Sequence, residues 1–175
     1  MQIKQVQMAY APEEDRILMR LNTDKNRELR CWLTRRMIKL LLPKLDQTMQ
    51  DLVTSDQPLK PESRQALIDM TREATRMQSN LNTPFYESPD KETLLSNSPL
   101  LIAKIDFIPA KQTLKSELII RLATPEGKGF ELKLTEKLQH GLIDMLIMTC
   151  EKANWGLPFR SGHFVVSRED KKVLN

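Results

Sequence analysis

Between residues 17 and 33 the chain alternates. Ile17, Met19 and Leu21 are spaced by Leu18, Arg20 and Asn22, and Leu29, Cys31 and Leu33 by Arg30 and Trp32, with the polar run Asp24–Asn26 between the two sets. Period-two alternation around a polar turn predicts a β-hairpin with one apolar face. The same pattern recurs 101 residues later, where Leu118, Ile120 and Leu122 answer Phe130, Leu132 and Leu134 across Pro125–Gly129. Further strands are predicted before each hairpin, at Ile3–Tyr10 and Leu100–Ile108. Each is followed by a proline, Pro12 or Pro109.

After each hairpin the period changes to that of a helix. Met37, Ile38, Leu41, Leu45, Met49 and Leu52 form one stripe, and Leu138, Leu142, Met145, Leu146, Thr149 and Ala153 the other. Thr34 and Thr135 are the predicted N-caps, and each helix should cover the apolar face of its own meander. Pro43 predicts a kink or break in the first helix. Shifting the chain by 101 positions gives identities at Arg20/Arg121, Leu21/Leu122, Thr23/Thr124, Leu33/Leu134, Thr34/Thr135, Leu41/Leu142 and Leu45/Leu146, which points to an internal duplication.

The predicted fold is therefore α+β, with two pseudo-symmetric repeats of a three-stranded antiparallel meander followed by a helix, joined by a bridging helix and a long loop. Residues 1–54 form the first repeat and 100–156 the second. The segment 55–99 carries the bridging helix, near Pro61–Gln78, and a loop rich in Ser, Asn and Pro. Residues 157–175 form a tail with one strand at His163–Ser167.

Composition narrows the chemistry. Five glycines are few for a dinucleotide-binding sheet, and two histidines, His140 and His163, are few for most metal or hydrolase sites. Cys31 and Cys150 match no metal spacing and sit at inward positions, as small buried hydrophobes do. His140 and Asp144 stand one helical turn apart, but no nucleophile shares their face, and a surface pair explains them better than a general base. No catalytic residue, metal site or cofactor is predicted, and the chain is read as a non-enzyme. Charges interrupt every greasy segment, so no membrane contact is expected. The opening residues alternate instead of forming a basic and then apolar leader, so the expected location is the cytoplasm.

Charge placement is the remaining signal. Arg27, Arg30, Arg35, Arg36, Lys39 and Lys44 face one acid, Glu28, between positions 27 and 44. Arg35 and Arg36 occupy a helix's first turn, where the dipole disfavours cations. Two readings follow: an anion site at the helix start, or ion pairs with Glu13, Glu14 or Asp15. On the hairpin, parity puts Arg20, Arg30 and Trp32 on the face away from the helix, a mixture of cations and an indole that suits single-stranded nucleic acid. The candidate binding residues are Arg20, Arg30, Trp32, Arg35, Arg36 and Lys39.

The run Arg20-Leu21-Asn22-Thr23 with Leu29-Arg30-Cys31-Trp32-Leu33-Thr34-Arg35-Arg36 resembles a group of small bacterial proteins without an assigned activity, and the resemblance extends to Trp155. Two sheet-then-helix units are also similar in plan to the Whirly and Pur-type single-stranded nucleic-acid binders, which carry four strands per repeat and more aromatic residues. The expected function is a non-catalytic protein-interaction or assembly module, through a protein partner or as a homodimer. The alternative is single-stranded DNA or RNA binding through the basic face of the first repeat.

Overall fold

The computed structural model describes residues 3–54, 62–63, 66–67, 69–70, 73–74, 85–87, 91–108, 117–157, 159–160 and 163–164. The fold is mixed α+β. β1 (Ile3–Ala11), β2 (Arg16–Thr23) and β3 (Arg27–Thr34) form an antiparallel meander that runs straight into α1 (Arg35–Thr54). β6 (Lys104–Ile108), β7 (Glu117–Ala123) and β8 (Gly129–Thr135) form a second meander that runs into α2 (Glu136–Lys152). Two short strands, β4 (Glu92–Thr93) and β5 (Leu100–Leu101), lie parallel to β3 on its free edge and bring the first sheet to five strands. β9 (Phe159–Arg160) and β10 (His163–Phe164) pair with each other, so the start of the predicted tail strand is present, while 165–167 lie outside the described residues.

Alternation sets the hairpin registers. Ile17 lies opposite Leu33 and Leu21 opposite Leu29; in the second sheet Leu118 lies opposite Leu134 and Leu122 opposite Phe130. Each pair sits on the buried side, because a one-residue slip would turn every apolar side chain to water. Thr34 and Thr135 cap as their chemistry predicts: their hydroxyls accept the amides of Met37 at 3.3 Å and Leu138 at 3.4 Å. Leu21, Leu33, Leu41, Leu45, Leu122, Leu134, Leu142 and Leu146 are all buried. Both cysteines are buried and free, and burial, with Glu151 adding to it, pushes the Cys150 thiol up to about 12.

Several expectations need correction. The strand predicted at Leu100–Ile108 is divided, because its first residues pair with β3 and its last with β7. The first meander is correspondingly part of a larger sheet. α1 continues through Pro43 to Thr54 without a break. Leu41, Leu42, Leu45 and Met49 are buried around the proline, and that burial outweighs the roughly 3 kcal/mol a helical proline costs. α2 does not serve its own sheet alone: it packs on β1 and α1 as well as β8. Its buried set includes Gln139, His140, Ile143, Ile147 and Cys150, too wide an arc for one sheet to cover. Gln139 bridges the helices by donating from Nε2 to the Leu45 carbonyl at 2.9 Å. His140 is buried, so it is not the member of a surface pair that its spacing from Asp144 led one to expect. Of the bridging helix, residues 62–63, 66–67, 69–70 and 73–74 are helical, and the rest of 61–78 lies outside the described residues.

Gly127 takes φ 87°, as its turn requires. Gly129 is needed for a different reason. A Cβ there would lie 2.2 Å from the Leu122 carbonyl oxygen on the facing strand.

A latch ties the first sheet to the end of α2. Asp15, in the β1–β2 turn at φ 49°, accepts from Trp155 Nε1 at 2.6 Å and from the Tyr10 hydroxyl at 2.9 Å. The Tyr10 and Trp155 rings meet edge to face at 6.0 Å. The Trp155 hydrogen bond, then that of Tyr10, holds the Asp15 carboxyl below its ordinary range, with the charge of Arg35 adding to the effect. A carboxyl lowered in the folded state contributes stability above its unfolded value, about pH 4, and that contribution is lost as pH falls through the folded value. Asp15→Asn should therefore unfold at lower urea than the parent at neutral pH, with the gap closing below about pH 4. Midpoints followed by Trp155 fluorescence will test this, and a gap that ignores pH would show that the carboxylate charge is irrelevant to the latch.

Candidate functional site

On the first sheet the face away from the helices carries three transverse rows. Ala9, Leu18, Trp32 and Leu101 stand side by side across β1, β2, β3 and β5. Gln7, Arg20 and Arg30 form the next row, and Gln5, Asn22 and Glu28 the third. The apolar row is open in part: Leu101 is 39% exposed, and Leu18 and Trp32 are half-buried.

The second row places two arginines directly opposite each other, an arrangement that repels unless something intervenes. Glu28 intervenes. Its carboxylate takes Arg20 Nε at 2.7 Å and a second Arg20 nitrogen at 3.2 Å, and lies 4.0 Å from Arg30 Nε. Arg20 also donates to Gln7 at 3.1 Å and to Glu87 at 2.5 Å, and its guanidinium lies 4.6 Å above the centre of the Phe85 ring. Arg20 in turn pulls the exposed Glu87 carboxyl below its usual range. Residues 85–87 thus form a strap across rows two and three, anchored further by Asn22 Nδ2 on the Tyr86 carbonyl at 3.0 Å and by the Tyr86 amide on Gln5 at 3.1 Å.

The six candidate residues divide accordingly. Arg20 is held by the internal partners Glu28, Gln7 and Glu87. Arg30 is half-buried and donates to the Asn97 carbonyl at 2.5 Å. Trp32 lies between Leu18 and Leu101 in the apolar row. Arg35, Arg36 and Lys39 are exposed at the start of α1, and among the described residues none of them forms an ion pair, with Glu13 and Glu14 or otherwise. Arg35 acts on Asp15 only through its charge. The structure brings Arg20, Arg30 and Trp32 onto one face, and sets the helix-start cations beyond its Thr34 end.

Sequence reasoning missed the strap's charges, Glu87 and Lys91. Phe85 and Tyr86 are large side chains in a loop of small polar residues, but nothing in the spacing ties them to Arg20. The outer face of the second sheet is different. Asp106, Arg121 and Glu131 lie in one row with alternating sign, which is self-neutralising.

Among the described residues no helix is long and apolar enough to cross a membrane, and no group of three or more His, Cys, Asp or Glu side chains is placed to hold a metal. No family model, curated protein or solved structure matches this chain.

Removing Arg20 would strip a nearly buried carboxylate of its main partner. Arg20→Ala should cost about 2–3 kcal/mol in chemical denaturation. Adding Glu28→Gln should recover part of that loss, because the stranded charge is then gone. A cost below ~0.5 kcal/mol would mean that solvent screens the pair as it does on an ordinary surface.

Proposed function

We propose that this chain is a non-catalytic protein-interaction module, built on a duplicated strand-strand-strand-helix unit, that docks a partner protein on the outer face of its first sheet. The duplication is supported by registers: Ile17 opposite Leu33 and Leu118 opposite Leu134 keep the 101-residue spacing, as do the two threonine caps. The docking reading rests on one observation, the row Leu18, Trp32 and Leu101 on a sheet face whose neighbouring rows are polar. An indole flanked by two leucines offers the large, stiff apolar anchor typical of interface hot spots.

Charge around that row argues for the kind of partner. Arg30 borders it on one side, and Arg35 and Arg36 lie beyond the Thr34 end. Laid on a second copy about a two-fold axis, these cations would face like charge; a partner with an apolar centre and acidic rim fits them better. Buried, free thiols at Cys31 and Cys150 suit a reducing compartment such as the cytoplasm.

A photo-crosslinking side chain at position 32 should capture a discrete protein in cells, where the same group at Arg121 on the second sheet captures none. Leu18→Glu should abolish the adduct. An adduct with this chain itself, confirmed by concentration-dependent sedimentation, would replace the partner by a homodimer. Equal labelling from 32 and 121 would overturn the docking face.

The second reading, single-stranded nucleic acid, is favoured by the exposed cations Arg35, Arg36 and Lys39, which form no ion pair among the described residues and follow the strand that carries Trp32. On that reading Arg35→Ala with Arg36→Ala should leave the melting temperature unchanged or raised, since both oppose the helix dipole. The double variant should also flatten the salt dependence of oligonucleotide binding by roughly one unit or more in log–log slope. Absence of oligonucleotide binding at about 50 mM salt would remove this reading.

A further inference from the structure

At the opposite end of β3 from α1, the first sheet holds a cleft of about 550 Å³ lined by Lys4 and Gln5 of β1, by Asn22, Thr23, Asp24, Asn26 and Arg27 around the β2–β3 turn, and by Tyr86 and Lys91 from the strap side. We propose that this cleft binds a small phosphate ester of nucleotide size. The proposal is independent of the docking face.

The placement of Lys4 is the first observation. Successive residues of a regular strand point to opposite faces, so Lys4 and Gln5 should not reach the same cleft. They do, because the β1–β2 register slips between Ile3, opposite Thr23, and Gln5, opposite Asn22, leaving an extra residue in β1. Such a bulge re-aims a side chain, and here it directs an ammonium away from the side taken by Val6 in the core.

The convergence of charge is the second. Lys4, Arg27 and Lys91 come from three separate stretches of chain and meet around one cleft whose single acid is Asp24. Lys4 and Arg27 form no ion pair among the described residues. Lys91 donates to the Tyr86 carbonyl and lies 4.9 Å from the centre of the Phe85 ring and 5.1 Å from that of Tyr86. Three cations around one lining carboxylate leave an excess of positive charge, and an entering dianion offsets that excess while accepting several charge-assisted hydrogen bonds.

The floor is fixed. Asn22 is buried, with both Nδ2 protons taken by Gln5 and the Tyr86 carbonyl at 3.0 Å each. Gln5 Oε1 also accepts the Tyr86 amide, so the orientation of both amides is set by the network. Tyr86, 63% exposed, offers a ring face beside the cations for a base or sugar. The volume lies within the range of small-molecule sites.

Calorimetric titration of the full chain with adenosine monophosphate at about 50 mM salt should show saturable binding at one site. Lys4→Gln and Arg27→Ala should each weaken it about tenfold, while Lys133→Ala, at an exposed cation on β8 of the second sheet, leaves it unchanged. Lys4 and Arg27 form no ion pair among the described residues, so both variants should keep the parent melting temperature; should one of them lose it, the other supplies the comparison. Ribose 5-phosphate binding as tightly as the nucleotide would retain the phosphate ester site and assign Tyr86 no stacking role. Absence of saturable binding below ~10 mM, or an equal loss in Lys133→Ala, would overturn the proposal, the latter marking non-specific attraction to a cationic chain.

Discussion

Ile102 donates its amide to the Trp32 carbonyl at 3.1 Å, and the next residue, Ala103, donates to the Ala123 carbonyl at 2.9 Å. Two consecutive peptide groups therefore belong to different sheets, and the chain from Leu100 to Ile108 serves both. Ile102 is fully buried at the changeover. This double use fixes the distance between the sheets, and with it the packing of α2, which spans from β8 to β1 and α1. Neither unit can then bury its apolar face alone. The Asp15–Trp155 latch and the Gln139–Leu45 contact close the same seam from its two ends.

Because the inner faces are spent on each other, what differs between the two units is displayed outside. The second sheet alternates Asp106, Arg121 and Glu131 in one row and needs no cover. The first sheet opposes Arg20 with Arg30, and that repulsion has drawn in Glu28, then Glu87 and Phe85 of the strap. A charge pattern that would be a liability in an isolated hairpin becomes the anchor of a long connection. The strap in turn builds one wall of the cleft beside Lys4.

The hairpins, caps and buried leucines were legible because each rests on local periodicity or on an N-cap hydroxyl, and both are written within a few residues. Long-range effects were not legible. Pro43 predicted a kink or a break, and the helix is unbroken because the burial of Leu41, Leu42 and Leu45 that carries it past the proline is tertiary. The division of Leu100–Ile108 between sheets leaves no trace in its alternation. Arg20 read as a free cation for the same reason: its partner Glu28 is eight residues away across a turn, but Glu87 is sixty-seven away. Lys4 was hidden by the bulge, which reverses the parity on which strand reading depends.

These failures share a cause that bears on function. Parity assigned a single basic face to the first repeat, whereas β3 carries cations of two kinds. Toward its start, Arg27 joins Lys4 and Lys91 around a concave cleft with a rigid amide floor. Past its end, Arg35 and Arg36 are exposed on the first turn of α1. Between the two, Arg20 and Arg30 are held by Glu28 and the Asn97 carbonyl. A concave, multi-segment cluster selects a compact anion that can touch several groups at once. An exposed pair beyond an apolar row instead suits, on the proposed docking reading, an extended surface, where charge would steer approach and Trp32 would provide the buried contact. The held arginines separate the two, so each end can be changed by mutation without disturbing the other.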